Sequence, residues 1–251
     1  MSISKNSVWV FDLDDTLYKE RDYQISGYDF IASLIKQIYQ QDVNPIIKQA
    51  IKDKKDVLQS ICNYLNLPLS VKDSLLWQYR NHIPKLMLDD ETKNTLFHIK
   101  KNSLAIAILT DGRSVSQRAK IASLGLSHYD IYISEEWGKD KPDDKRFLAI
   151  MDKYHSADSF IYIGDNINKD FITPNKLGWI TIGLKDDGSN VHNQGDQNLA
   201  IEYMPQHWIN NFNEYIKLVN ISDNVIIGAG STVIHSISSS QTVIGSPAKQ
   251  M

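Results

Sequence analysis

The sequence predicts an α/β chain on a doubly wound parallel sheet, with a block of helices inserted after the first strand. Three observations predict it. Apolar runs of strand length recur at 8–11, 104–109, 131–133, 160–163 and 179–182. Between the later runs, apolar residues return at helical spacing, and strand–helix–strand repeats with continuous apolar strands mark a parallel sheet covered on both faces. Residues 20–90, by contrast, carry helical periodicity and no strand signal.

The elements follow in order. Val8-Trp9-Val10-Phe11 reads as a buried strand running into Asp12-Leu13-Asp14-Asp15-Thr16. Strand side chains alternate, so Asp12 and Asp14 are expected on one side of the strand end. Two like charges held that close are costly unless a cation or a shared proton compensates them. The plainer alternative is a strand followed by a polar turn, where Asp and Thr are common. Tyr28, Ile31, Ile35 and Ile38 then lie on one helix face. Asn44-Pro45 reads as an N-cap with proline at the first helical position, and Ser70 with Asp73 as a capping box. Pro68 and Pro84 interrupt the block.

Alternation starts at Leu104–Leu109, a strand ending in Thr110-Asp111-Gly112. A helix over 114–124 closes at Gly125. A short strand at 131–133, a helix at 143–154 behind Pro142, and a strand at 160–163 ending in Gly164-Asp165-Asn166 follow. A helix over 168–177 stops at Gly178, a strand covers 179–182, a polar loop 185–198 and a last helix 206–218. Ligands bind at the carboxyl ends of such strands. Three strand ends thus offer Asp12 and Asp14, Thr110, and Asp165 to one crevice.

Composition narrows the function classes. The 251 residues are 42% hydrophobic, and a net charge of −3 argues against a general nucleic-acid surface. The single cysteine, Cys62, excludes an internal disulfide, suits a reducing cytosol and sits among apolar neighbours as buried filler. No signal-like apolar segment and no run of about 18 apolar residues is present, so a cytoplasmic protein without a membrane contact is expected. The seven histidines lack metal-ligand spacing.

Four motifs now stand in order: Asp12-Leu13-Asp14-Asp15-Thr16, Leu109-Thr110-Asp111-Gly112, Lys141-Pro142, and Gly164-Asp165 with Asp170. Over about 7–218 the chain resembles the haloacid dehalogenase (HAD) superfamily in its phosphatase branch. The resemblance implies a Rossmann-like core over 1–18 and 91–220, with residues 19–90 as a helical cap over the site. It implies Asp12 as nucleophile through an aspartyl-phosphate, and Asp14 as the acid that protonates the leaving oxygen and later activates water. Thr110, Asp111, Gly112 and Lys141 would contact the phosphate. Asp111 stands where the family commonly has asparagine, and reads as a cap for helix 114–124. Tyr18, Arg21, Tyr23, Trp77, Arg80 and His82 are the cap residues within reach of specificity.

Charge counting adds a metal. Asp12, Asp14, Asp165 and Asp170 bring four negative charges against one from Lys141, so a phosphate would be repelled. Mg2+ suits carboxylates plus substrate phosphate. By the family pattern Asp12, the Asp14 backbone carbonyl and Asp165 would ligate it, with Asp170 behind them orienting a water or Lys141. The implied reaction is Mg2+-dependent hydrolysis of a small phosphorylated metabolite such as a phosphosugar. A phosphomutase would keep the same aspartates.

Residues 221–251 do not fit this fold. Asn224 to His235 and Thr242 to Lys249 are similar to the end of a hexapeptide-repeat acyltransferase, a left-handed β-helix. So few coils cannot bury a core alone. The tail is expected to be a β-helix-like arm, a truncated fusion remnant or an oligomer contact. An accessory role beside an acyltransferase in polysaccharide biosynthesis follows as a further alternative.

Overall fold

The structure is a computed structural model that describes residues 5–191, 194 and 199–214, together with three short stretches at 226–227, 242–244 and 249–250. Six strands form one parallel sheet: β1 (Ser7–Phe11), β2 (Ala105–Thr110), β3 (Asp130–Ile133), β4 (Ser159–Gly164), β5 (Ile180–Leu184) and β6 (His207–Ile209), ordered β3-β2-β1-β4-β5-β6. The strand order reverses at β1. Its carboxyl end is therefore the switch point where such sheets open a crevice.

β1 is buried along its whole length, and its two faces serve different layers. Trp9 and Phe11 join Ile106, Ile108, Leu96 and Ile121 on one face. Val8 and Val10 join Phe147, Tyr162, Phe171 and Trp179 on the other. The first layer is covered by α5 (Asp90–Asn102) and α6 (Ser114–Ser123). The second is covered by α8 (Lys145–Lys153), which follows the short α7 (Ser134–Trp137), and by α9 (Ile172–Lys176). Register pins the strand ends level: Phe11 pairs with Ile108 and Ile163, and the Asp12 N–H continues the ladder to the Ile163 carbonyl at 2.8 Å.

Between β1 and α5 lie only helices: α1 (Glu20–Tyr39), α2 (Asn44–Lys52), α3 (Val57–Tyr64) and α4 (Ser70–Asn81). They bury a cluster of their own around Ile31, Ile35, Ile47, Ile61, Cys62 and Leu75. The long α1 meets α4 at Gly27, where an added Cβ would lie 2.3 Å from the Tyr79 ring. That ring is already held among Tyr23, Tyr28 and His82, with centroids 5.3–5.9 Å away.

Several local expectations change. Pro45 does open α2, but Asn44 is the first helical residue and Val43 the cap. Ser70 begins α4 behind Leu69 and forms no side-chain cap, because the chain already turns helically at Leu69. The helix expected over 168–177 is confined to Ile172–Lys176, since Asp170 is drawn inward by other partners. Residues 207–209, expected as helix, form edge strand β6 beside β5; helix begins only at 212, and the rest of 206–218 lies outside the described residues.

Most of the tail also lies outside the described residues. Its described fragments, β7 (Ile226–Ile227), β8 (Thr242–Ile244) and β9 (Lys249–Gln250), make a small sheet in which β7–β8 is parallel and β8–β9 antiparallel. An antiparallel pair is not the register of stacked β-helix coils, so these fragments lend the acyltransferase resemblance no support. Among the described residues, no helix is long and apolar enough to cross a membrane.

Gly27→Ala should therefore force Tyr79 out of a crowded ring cluster and cost about 1–3 kcal/mol. Thermal unfolding checks this: the midpoint should drop by several degrees, and an unchanged midpoint would mean that the α1–α4 contact yields freely.

Candidate active site

A cavity of about 120 Å3 opens at the carboxyl ends of β1, β2 and β4. Its wall carries the carboxylates of Asp12, Asp14, Asp15, Glu20, Asp111 and Asp165, with Thr110, Asn166 and one cation, Lys169. A larger groove of about 470 Å3 lies elsewhere, between α1 and residues 83–87; its acids are Asp22 and Asp29, and it holds none of the site carboxylates.

Asp12 extends directly from β1. Its Oδ1 accepts a 2.7 Å hydrogen bond from Lys141 Nζ, while its Oδ2 takes no hydrogen bond from the described residues. Lys141 is fully enclosed, and its ammonium spends its three protons on Asp12, on Asp170 Oδ1 at 2.6 Å and on the Tyr162 hydroxyl at 2.9 Å. Burial alone would lower the Lys141 pKa, but the Asp12 and Asp170 charges outweigh it and hold the ammonium protonated well above its ordinary value. Lys141 stands behind Asp12 and is not among the residues that line the cavity.

Asp170 completes this arrangement. Its Oδ2 accepts from the Asn166 backbone N–H at 2.8 Å. The carboxylate packs so closely on Gly164 that a Cβ there would sit 2.5 Å from Oδ2. Glycine at the end of β4 is thus what lets Asp170 reach Lys141.

Asp14 lines the same cavity as Asp12, as expected for one side of the strand end. Beyond Phe11 the chain turns, with Leu17 N–H bonded to Leu13 O at 2.9 Å and Asp15 at positive φ. Helix α6 supplies two of the Asp14 partners. Asp14 Oδ1 accepts from Lys120 Nζ at 2.8 Å and from the Tyr18 hydroxyl, and its Oδ2 accepts from Gln117 Nε2 at 2.8 Å. Burial would raise this carboxyl, but the Lys120 charge and the three donors hold it below its ordinary value. Asp12 and Asp14 share a cavity and have separate cations.

Thr110 ends β2. Its hydroxyl oxygen accepts from Gln117 Nε2 at 2.8 Å, which leaves the hydroxyl proton for an acceptor in the cavity. The Gly112 N–H donates to Ser134 Oγ at 2.9 Å. Asp111 does not cap α6, whose N-cap is Arg113 without a side-chain bond. It gathers Arg146 Nη2 at 2.7 Å, Lys169 Nζ at 2.9 Å and the Lys141 backbone N–H at 3.0 Å. Against the cost of burial, the charges of Lys141 and Lys169 hold its pKa down to about 2. The acid in place of asparagine is matched by two basic side chains.

Asp165 lies at the end of β4. Thr16 Oγ1 donates to its Oδ1 at 3.3 Å and Asn190 Nδ2 to its Oδ2 at 3.0 Å. Burial and the neighbouring Asp12 and Asp170 push its pKa up to about 8. Oxygens of Asp12, Asp165 and Asp170 lie within 4.8 Å of one another. Hard oxygen donors this close, with burial pushing the Asp12 and Asp165 carboxyls up to about 7 and about 8, fit a divalent cation such as Mg2+.

Of the cap residues, Tyr18 touches Asp14, and Tyr23 lies under the Lys120 ammonium, 4.3 Å from ring centroid to Nζ. His82 is buried and bonds Tyr79 and Ser26, while Arg21 and Trp77 are exposed. None of Arg21, Trp77 and Arg80 lines the cavity; Glu20 is the residue of α1 that does, its pKa pushed up to about 7 by burial and by Asp14.

Sequence reasoning missed Gln117, Lys120, Arg146, Lys169 and Asn190. Gln117 and Lys120 had a readable signal: they stand three apart on the helix that starts at the Thr110 strand end, and so share a face.

The chain is similar to several known proteins. A glyceraldehyde 3-phosphate phosphatase of Methanocaldococcus jannaschii is 27% identical over 190 residues, covering 70% of this chain and 83% of that protein. A ribulose-1,5-bisphosphate 5-phosphatase of Halopiger xanaduensis is 25% identical over 239 residues, covering 84% and 98%. Among solved structures, the magnesium-bound HAD-hydrolase YfnB of Bacillus subtilis shares the fold at a TM-score of 0.58 and 17% identity, covering 88% of this chain and 100% of that one. The family model described as haloacid dehalogenase-like hydrolase matches residues 9–184, from β1 through β5, and the chain belongs to that family.

Proposed function

We propose that this protein is a Mg2+-dependent phosphomonoester hydrolase that works through an aspartyl-phosphate, on a small phosphorylated metabolite such as a phosphosugar. The observation that carries the reading is Asp12. One of its oxygens is bound by Lys141 at 2.7 Å, and the other is open at a cavity wall shared with Asp14 and Thr110. The relatives support the substrate class, since both named phosphatases act on phosphorylated sugars.

In this reading Asp12 Oδ2 attacks phosphorus, and the bond to the leaving oxygen breaks as Asp14 supplies its proton. Water then attacks the aspartyl-phosphate, Asp14 takes the proton, and the Asp12 carboxylate leaves. The Thr110 hydroxyl donates to a phosphoryl oxygen, and Lys169 is the cation on the cavity wall that meets another. Lys141 fixes the direction of Asp12. Mg2+ would be held by Asp12, Asp165 and the Asp14 backbone carbonyl, with Asp170 behind, and would neutralise charge on the phosphoryl oxygens. Residues 19–90 act as a cap that excludes water while the covalent intermediate forms.

Phosphate release from a panel of phosphosugars, nucleotides and small phosphorylated acids, with added Mg2+, tests the reading. Asp12→Asn should abolish turnover, a loss of at least about 10^3-fold, while leaving the melting midpoint in place. Substantial residual turnover would refute the nucleophile.

Metal binding should depend on pH in a definite direction. The Asp165 carboxyl, raised to about 8 in the metal-free protein, must lose its proton to ligate. Mg2+ affinity by calorimetry should therefore rise as pH increases from 6 to about 8 and level off above it. An affinity independent of pH across that window would exclude Asp165 as a ligand.

A further inference from the structure

We infer that Lys120 and Gln117 of α6 are positioning residues for Asp14, and that they set its placement as the acid/base from the junction between sheet core and helical block. The inference rests on the phosphohydrolase reading. Asp14 stands beyond the end of β1, so the strand does not hold its side chain. Its orientation comes from three donors. Lys120 Nζ at 2.8 Å and the Tyr18 hydroxyl hold Oδ1, and Gln117 Nε2 at 2.8 Å holds Oδ2. Both α6 side chains are themselves immobilised: Lys120 and Gln117 are 5% and 2% exposed.

Each donor also reports on a second structure. Gln117 Nε2 also lies 2.8 Å from Thr110 Oγ1 and 2.6 Å from the Asp111 carbonyl, so its two protons are shared among these acceptors and Asp14 Oδ2, and one amide links Asp14 to Thr110. The Lys120 ammonium lies over the Tyr23 ring of α1. Within 4.0 Å, Asp14 is the one carboxylate paired with Lys120 among the described residues. Buried cations are retained when they have a specific partner, and nothing in the phosphate contacts or the Asp12–Lys141–Asp170 set employs this one. Positioning is what it supplies: a misplacement of about 1 Å at a reacting group can cost about 10^2-fold in rate.

Steady-state and single-turnover kinetics on the full chain with Mg2+ test the inference. Lys120→Met should lower kcat by about 10–100-fold and leave KM within about 3-fold, because Asp14 acts in the reaction rather than in binding. With p-nitrophenyl phosphate, whose leaving group needs no protonation, phosphoenzyme formation should stay within about 3-fold of wild type while its hydrolysis slows, giving a burst of nitrophenol. Lys120→Arg should recover most of the loss. Gln117→Met, which deletes a donor without removing a buried charge, should show the same split more weakly. In an Asp14→Asn background, Lys120→Met should change the residual p-nitrophenyl phosphate rate by less than about 2-fold. Additive losses in that background, or a parallel fall of both steps with a lowered melting midpoint, would overturn the inference. If Lys120→Met does not fold, the Gln117→Met burst decides. A wild-type protein that releases no phosphate from any compound overturns the function reading itself; a working wild type beside indifferent α6 variants overturns only the positioning.

Discussion

Everything at this site depends on one electrostatic constraint: many carboxylates, Asp12, Asp15 and Asp165 of them buried, crowd a cavity of about 120 Å3. Like charges there repel strongly, and desolvation penalises each of them again. The fold answers by giving each cluster a local cation. Lys141 bridges Asp12 and Asp170, Lys120 holds Asp14, and Arg146 with Lys169 holds Asp111. Asp165, Asp15 and Glu20 have no ion-pair partner among the described residues, and burial raises all three carboxyls. A divalent cation beside Asp165 would offset that crowding at the same cavity that Asp12 lines.

The same constraint explains what could be read in the sequence. The sheet was legible because β1, β2 and β4 are buried on both faces, and apolar runs ending in Asp or Thr betray such strands directly. Asp12, Thr110 and Asp165 were legible because each follows or ends a strand, in the order in which the strands feed one crevice; Lys141 and Asp170 lie beyond the strand ends and came only with the family resemblance. The count of four acids against one lysine was not a fair sum. Lys120, Arg146 and Lys169 lie on helices or helix approaches, where charge usually means a solvated face, and only packing reveals that they turn inward. Asp111 was misread as a helix cap for the same reason: its cations come from 35 and 58 residues away.

Period-two spacing put Asp12 and Asp14 on one side, and both do line one cavity, although the regular strand stops at Phe11. The 3-residue edge strand at 207–209 was not legible. Its partner β5 imposes the strand, while the local sequence alone carries helix-like spacing.

Helix α6 does more than reach Asp14. The Ser116 hydroxyl donates to the Arg80 carbonyl at 2.8 Å, and Ser123 bonds the Pro84 carbonyl at 2.8 Å and the Leu86 N–H at 3.0 Å. The chain returning from the helical block is therefore fastened along the helix that holds Asp14. Helix α6 thus belongs to the contact between the helical block and the sheet. A chimera that exchanges helical blocks between relatives and cuts at residue 90 would join one protein's return segment to another's α6. Such an exchange keeps its return segment fastened only where the recipient's α6 offers hydroxyls at the places of Ser116 and Ser123.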